Sequence, residues 1–407
     1  MKTIAVLGTF DSKGAELEAV ADMIEGRGFG VLRIDVGSGV PQVRVDVGAA
    51  EVLSALEAEG VESREASARR DRGAWVALIA EAAGRYLKEL VGNHAVHGVI
   101  SLGGGGGTAI GTAAMRPLPI GFPKVMVSTL ASGNVAPFIG TVDIVMIPAV
   151  VDVAGLNRIS RVIFENAAGA ICGMVDAAKG REARGAEARP VVVASMFGNT
   201  TGCVNEARRW VEAAGFEVLV FHSTGQGGRA MESLIASGLV AGVLDVTTTE
   251  WADEWVGGIL GAGPERLDAA AKAGVPAVVA PGCLDMVNFG EPQTVPARFA
   301  GREFYQHNPQ VTLMRTNAEE CAELGRILAE KVNASRGPVR VMWPKGGISA
   351  LSAPGQPFYD PEADAALLAG LKAHLREGIA VEEMDCAIND PAFARACAEA
   401  LLTSLKR

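Results

Sequence analysis

Three short segments in the first half of the chain carry residues with chemistry to offer. Gly8, Thr9, Phe10, Asp11, Ser12 and Lys13 follow an apolar run directly and open a helical pattern. Free backbone N–H groups at such a helix start, helped by the helix dipole, suit an anion, and Lys13 adds a full positive charge. Gly103, Gly104, Gly105, Gly106, Gly107 and Thr108 follow a second apolar run. Each glycine costs roughly 0.5–1 kcal/mol relative to alanine in regular structure, so backbone here is expected to approach something closely, a phosphate or a ribose. The run matches neither the P-loop pattern nor a GxGxxG fingerprint with an acidic residue at the next strand end. Ser128, Thr129, Leu130, Ala131, Ser132 and Gly133 form a third loop, a polar rim of hydroxyls and amides.

The second half repeats the theme. His222, Ser223, Thr224, Gly225, Gln226, Gly227, Gly228 and Arg229 combine glycines, a guanidinium and a helix start, which is a second candidate anion site. His222 could act as general acid or base there. Glu250, Asp253 and Glu254 would share one face of a helix, where they could hold Mg2+ or simply meet solvent. Cys283, Asp285, Asn288 and His307 could complete a site, but Cys283 has no activating partner in sequence and is not assigned as a nucleophile.

These loops need strands to present them. Short β-branched runs alternate with longer helical patterns throughout, the signature of βαβ units. The fold class expected is α/β, with two doubly wound, mostly parallel Rossmann-like domains. Strands are expected near 3–7, 31–36, 98–102, 125–128 and 144–147, then near 191–195, 218–221, 242–244, 277–280, 339–342 and 379–383. The charged segment Gly180 to Pro190 reads as the connection between an amino-terminal domain, 1–180, and a carboxy-terminal domain, 190–407. Four prolines between Pro281 and Pro309 exclude regular helix there, and the stretch reads as a long ordered loop. In open α/β sheets the carboxyl ends of strands converge on one crevice, so the three amino-terminal loops are expected to share one ligand.

Composition narrows what that ligand is. The net charge of −10 and the lack of a basic patch exclude nucleic acid as the expected partner. Aromatics are 5% of the chain, so the cores must be packed with small aliphatic residues, as in parallel sheets covered by helices. No apolar run is long enough for a membrane span. The six cysteines lack metal-ligand or CxxC spacing and read as reduced thiols, and a cytoplasmic location is expected.

Several segments together resemble the tobamovirus resistance protein type of ATP-binding domain, a family with many bacterial members. They are GTFDSK at Gly8 to Lys13, GGGGGT at Gly103 to Thr108, and LPIGFPKVMVSTLASG at Leu118 to Gly133. VDVAGLNRISR at Val151 to Arg161, GQGGRAME at Gly225 to Glu232, LDVTTTEWAD at Leu244 to Asp253 and NPQVTLMRT at Asn308 to Thr316 extend the likeness over essentially the whole chain. The resemblance implies two α/β domains, bound ATP and a homodimer. The chain departs from the family pattern at Phe10, where a small residue is usual, and at Gly105, where serine is common.

The reading is a nucleotide-binding protein that holds ATP, with Mg2+ as an optional companion, on its glycine-rich strand-end loops. Two alternatives stand beside it. One is an enzyme acting on a small phosphorylated or carboxylated metabolite in the interdomain cleft, with His222, Arg229 and Glu250 as its working groups. The other is a dimeric sensing module set by nucleotide.

Overall fold

The computed structural model describes residues 1–56, 71–182 and 189–406. Most of the expected connection at Gly180 to Pro190 lies outside the described residues. The chain forms two compact units, Met1–Glu187 and Ala188–Arg407.

The first unit is built on a five-stranded parallel sheet in the order β2-β1-β3-β4-β5, comprising β1 (Thr3–Gly8), β2 (Gly30–Asp35), β3 (Gly98–Gly103), β4 (Lys124–Ser128) and β5 (Val145–Pro148). Alternating side chains of β1 feed two different cores, as a sheet covered on both faces requires. Ile4 and Val6 join Phe10, Leu17, Phe164 and Ile171 from helices α1 (Phe10–Glu25) and α4 (Arg158–Glu182). Ala5 and Leu7 join Trp75, Ile79, Ile110 and Ala114 from α2 (Arg72–Gly92) and α3 (Gly105–Met115) on the other face. Each large apolar side chain that leaves water here contributes about 1.5–3 kcal/mol. Phe10 is one of them: it is fully buried, so the departure from the family's small residue fills the core rather than the loop.

The second unit has a six-stranded parallel sheet in the order β14-β13-β9-β8-β6-β7. Its strands are β6 (Val191–Met196), β7 (Glu217–His222), β8 (Val240–Thr247), β9 (Ala277–Gly282), β13 (Val339–Pro344) and β14 (Val381–Met384). Counted from the start of the unit, the order is again 2-1-3-4-5, with a sixth strand added. Helices α5 (Thr201–Ala213), α6 (Gln226–Ala236), α7 (Glu250–Val256), α8 (Ala318–Asn333), α9 (Pro361–His374) and α10 (Pro391–Leu405) cover it. Helix α8 begins with a capping box, in which Asn317 accepts the Glu320 N–H at 2.8 Å and Glu320 accepts that of Asn317 at 2.9 Å.

The long loop expected between Pro281 and Pro309 is corrected by the structure. That stretch and the residues after it carry β10 (Met286–Phe289), β11 (Phe304–Asn308) and β12 (Val311–Arg315), an antiparallel sheet in the order β10-β12-β11. Pro292 and Pro296 sit at the starts of two short 3-10 turns between β10 and β11, and Pro309 in the turn between β11 and β12, where no ladder hydrogen bond is lost, while Pro281 lies near the end of β9.

Candidate functional site

In a 2-1-3-4-5 sheet the helices after the first and third strands leave on opposite faces, and the carboxyl ends of those strands open a crevice. A cavity of about 560 Å³ lies there. Thr9, Asp11, Ser12 and Lys13 line it from the turn after β1, and Gly103, Gly104, Gly105, Gly106 and Gly107 from the turn after β3. Two of the three amino-terminal loops therefore meet, as their common position at strand ends requires.

The glycine run is not explained by backbone twist, since none of its five residues has a positive φ. Packing accounts for part of it: a Cβ on Gly103 would stand 3.0 Å from the Gly107 Cα, and one on Gly107 would stand 3.3 Å from the Leu102 carbonyl oxygen. Gly105 is different, because a Cβ there would meet nothing within 4 Å. Helix α3 starts at this residue with no side-chain cap, and its first bond back is Thr108 N–H to the Gly104 carbonyl at 2.8 Å. The amides of Gly105, Gly106 and Gly107 are thus the open donors of a helix amino terminus. Open donors beside open space form a cradle that fits a phosphate.

The remaining wall was not legible as a motif. Ser38, Arg72, Trp75, Val76, Ile110 and Asp152 complete the lining. Trp75 is 4% exposed and its indole N–H donates to the Val36 carbonyl at 3.3 Å, which fixes one flat apolar wall. Behind the lining, the buried Asp35 at the end of β2 accepts N–H bonds from Phe10 at 2.9 Å and Gly37 at 3.0 Å. Burial pushes its carboxyl up despite those bonds. Asp11 accepts the Gly39 N–H at 2.8 Å. These two carboxylates tie the turn after β1 to the turn after β2 and so hold the cavity's shape.

The third loop sits beside the cavity without lining it. The Ser128 and Thr108 hydroxyls bond each other at 2.7 Å and are buried. Thr129 backs Gly104, its Oγ1 lying 3.7 Å from where a Cβ would stand. Ser132 and Gly133 close their own turn through the Gly133 N–H to Leu130 carbonyl bond, and neither lines the cavity. Gly8 is buried, and a Cβ there would collide with Leu17 at 2.7 Å, so helix packing explains that glycine.

The carboxy-terminal loop is a correction. It follows β7, an edge strand, rather than the crevice between β6 and β8. Two of its amides are also already spent: Glu250 Oε1 accepts the N–H of Gly225 at 2.7 Å and of Gly228 at 3.1 Å. Gly227 lies against the His222 backbone, with only 1.8 Å to the carbonyl oxygen for any added Cβ, and Gln226 is exposed. Glu250 is fully buried and its other oxygen binds Arg266 at 2.7 Å, so it is not a free acid or base. His222 is exposed and its ring leans on Phe197 with centroids 5.4 Å apart. Arg229 donates to the Gly261 carbonyl at 3.1 Å. His222, Arg229 and Glu250 are thus engaged with three different sets of neighbours.

The Mg2+ face is corrected in the same way. Asp253 is buried against Asn288, whose Nδ2 donates to it at 2.7 Å, while Glu254 accepts the Gly263 N–H at 3.0 Å. Among the described residues no group of three or more His, Cys, Asp or Glu side chains is placed to hold a metal ion. Cys283 is buried among Met286, Leu313 and Phe358, and burial pushes its thiol well above the usual range. Asp285 accepts the Ser349 hydroxyl at 2.7 Å and is pushed up to about 6 by burial. His307 stands exposed on β11, apart from that core.

Models of the two domains of the uncharacterised protein family UPF0261 match residues 2–180 and 189–405. The chain belongs to this family. A UPF0261 protein of Clostridium tetani is 46% identical over 408 residues, covering all of both chains. A UPF0261 protein of Rhizobium meliloti is 47% identical over 98% of each chain. The ToMV resistance protein Tm-1 of tomato is 43% identical over 335 residues, 81% of this chain and 44% of the tomato protein, so the match spans under half of that relative. Among solved structures, the UDP-N-acetylglucosamine 2-epimerase of Rickettsia bellii aligns over 68% of this chain and 78% of that one at 11% identity with a TM-score of 0.21, too low to carry an argument. No helix among the described residues of this UPF0261 chain is long and apolar enough to cross a membrane.

Proposed function

We propose that the amino-terminal unit binds a nucleotide, ATP in the first instance, in the cavity at the carboxyl ends of β1 and β3. The observation that carries this reading is Gly105, whose missing side chain leaves open space in front of the unbonded amides of α3. Protein packing and backbone conformation give no other reason for glycine at that position. The α3 amides and Lys13 would receive phosphate oxygens, and Trp75, Val76 and Ile110 offer a flat apolar wall for a base. Asp11 and Asp152 line the same space and would meet Mg2+ carried on the phosphates. The homodimer and cytoplasmic setting implied at the level of sequence belong to this reading too.

Calorimetric titration of the full chain with ATP, ADP, AMP and NAD tests it. Saturable heat with ATP supports the proposal, and no heat with any of the four at millimolar ligand rejects it.

A further inference from the structure

The cavity also brings Arg72 and Lys13 to the uncapped amino terminus of α3. Arg72 lies in the first turn of α2, where the helix dipole opposes a positive charge. Its N-cap neighbour Asp71 has its carboxylate turned to the Gly73 N–H at 2.8 Å and the Ala74 N–H at 3.4 Å. The Arg72 guanidinium instead reaches across to the glycine run, where Nη2 lies 3.6 Å from the place a Gly106 Cβ would take. It therefore stands over the amino terminus of α3, a second positive helix end. No ion pair or hydrogen bond engages the Arg72 side chain among the described residues, and Lys13 on the other wall has none either. Two unpaired cations and the uncapped amino terminus of α3 face one space whose lining also carries Asp11 and Asp152, so the receivers for a ligand's negative charges are gathered at the Arg72 and α3 end.

The end of β2 adds a second, independent constraint. An acidic residue at that position in dinucleotide-binding folds reads the ribose hydroxyls. Asp35 stands at the end of β2, opposite Gly8, but it is 2% exposed and its Oδ1 is committed to the Phe10 and Gly37 amides. The sugar is left without its usual reader, while the phosphate end has three positive features, Arg72, Lys13 and the uncapped amino terminus of α3.

We infer that Arg72 is a binding residue that clamps a polyphosphate chain against Gly105 and Gly106, and that this chain, rather than the nucleoside, anchors the ligand. The inference deepens the nucleotide reading and rests on the same cavity. Inorganic triphosphate and any nucleoside triphosphate share this chemistry, so ATP and GTP bind alike and adenosine alone does not bind.

The test is calorimetry on the full chain with sodium tripolyphosphate, ATP, GTP and adenosine, at two salt concentrations. Expected are binding of the first three, ATP and GTP affinities within about tenfold, which is about 1.4 kcal/mol, and no heat from adenosine. Arg72→Ala should weaken tripolyphosphate and ATP together by about 10- to 100-fold, the range for hydrogen bonds to charged groups. It should also flatten the salt dependence, with Arg72→Lys recovering part of the loss. Because Arg72 is exposed, thermal unfolding of Arg72→Ala should match the parent chain and so exclude misfolding as the cause. If ATP binds but tripolyphosphate does not, or if Arg72→Ala binds as the parent does, the clamp is overturned while nucleotide binding stands. If tripolyphosphate binds and ATP does not, the clamp stands and the nucleotide reading falls. Silence from every ligand overturns both.

Discussion

The Glu250 carboxylate accepts the Gly225 backbone N–H at 2.7 Å, deep inside the carboxy-terminal unit. A glycine-rich strand-end turn that could have received a phosphate is filled by the protein's own carboxylate. Arg266 holds that carboxylate in place through Nε at 2.7 Å, and it also binds Asp245 at 2.6 Å and Glu232 at 3.1 Å. The amino-terminal unit repeats the 2-1-3-4-5 order and has a glycine-rich turn after β3, but no described side chain accepts its amides. On the proposed reading, this contrast leaves the ligand to the amino-terminal unit, while the carboxy-terminal turn is locked by its own side chains.

Arg266→Met should therefore destabilise the carboxy-terminal unit severely. The buried Asp245 and Glu250 and the partly buried Glu232 would lose their shared cation, and breaking a buried pair by removing one partner costs about 3–5 kcal/mol. Denaturant unfolding should show that loss while ATP affinity of the still-folded chain is unchanged. A loss under about 1 kcal/mol would mean the network is not the lock described here, since surface ion pairs are worth that little.

Glu250→Ala separates locking from catalysis. Removing the carboxylate exposes the Gly225 and Gly228 amides and frees part of the Arg266 charge. Thermal stability should fall, and phosphate or sulfate should restore part of it by entering the vacated turn. If the variant is as stable as the parent chain and indifferent to phosphate, Glu250 does not plug the turn.

Stability should also decline as pH rises from about 4 to about 7. Burial pushes Asp253 up to about 7 from 3.8, so between those values the unfolded chain has released a proton that the folded chain retains. The stabilisation this group contributes is complete below the unfolded value and is lost as pH passes through the folded one. Asp285, pushed up to about 6, acts with the same sign. Urea unfolding across this range should show the slope, and Asp253→Asn should reduce it. A slope identical in parent and variant would remove Asp253 from the account.

The parallel sheets were legible because each strand is a short β-branched run ahead of a helix with its own start signal. VVVAS at 191–195 is wholly intermediate or buried in the structure, as a strand covered on both faces must be. The antiparallel sheet was not legible. Its edge strand β11, FYQHN, is mostly exposed and follows a proline-rich stretch, so neither alternation nor apolar run marks it. The glycine run that lines the cavity could be read from sequence because it is contiguous and follows a strand directly. Arg72 and Trp75 could not, since they reach the cavity from a helix that begins more than thirty residues before Gly105 and carry no motif. The Glu250 plug was hidden for the same reason: its partners Gly225 and Arg266 lie 25 and 16 residues away along the chain.

The most direct measurement is an ATP titration of the parent chain beside Gly105→Val, with denaturant unfolding of both. Space around residue 105 is open and its φ is not positive, so the variant should keep its stability to within about 1 kcal/mol. Its new side chain would stand where phosphate is proposed to lie. The account expects saturable heat in the parent chain and at least a tenfold loss, about 1.4 kcal/mol, in the variant. Equal binding by both folded proteins, or none by the parent, would contradict it.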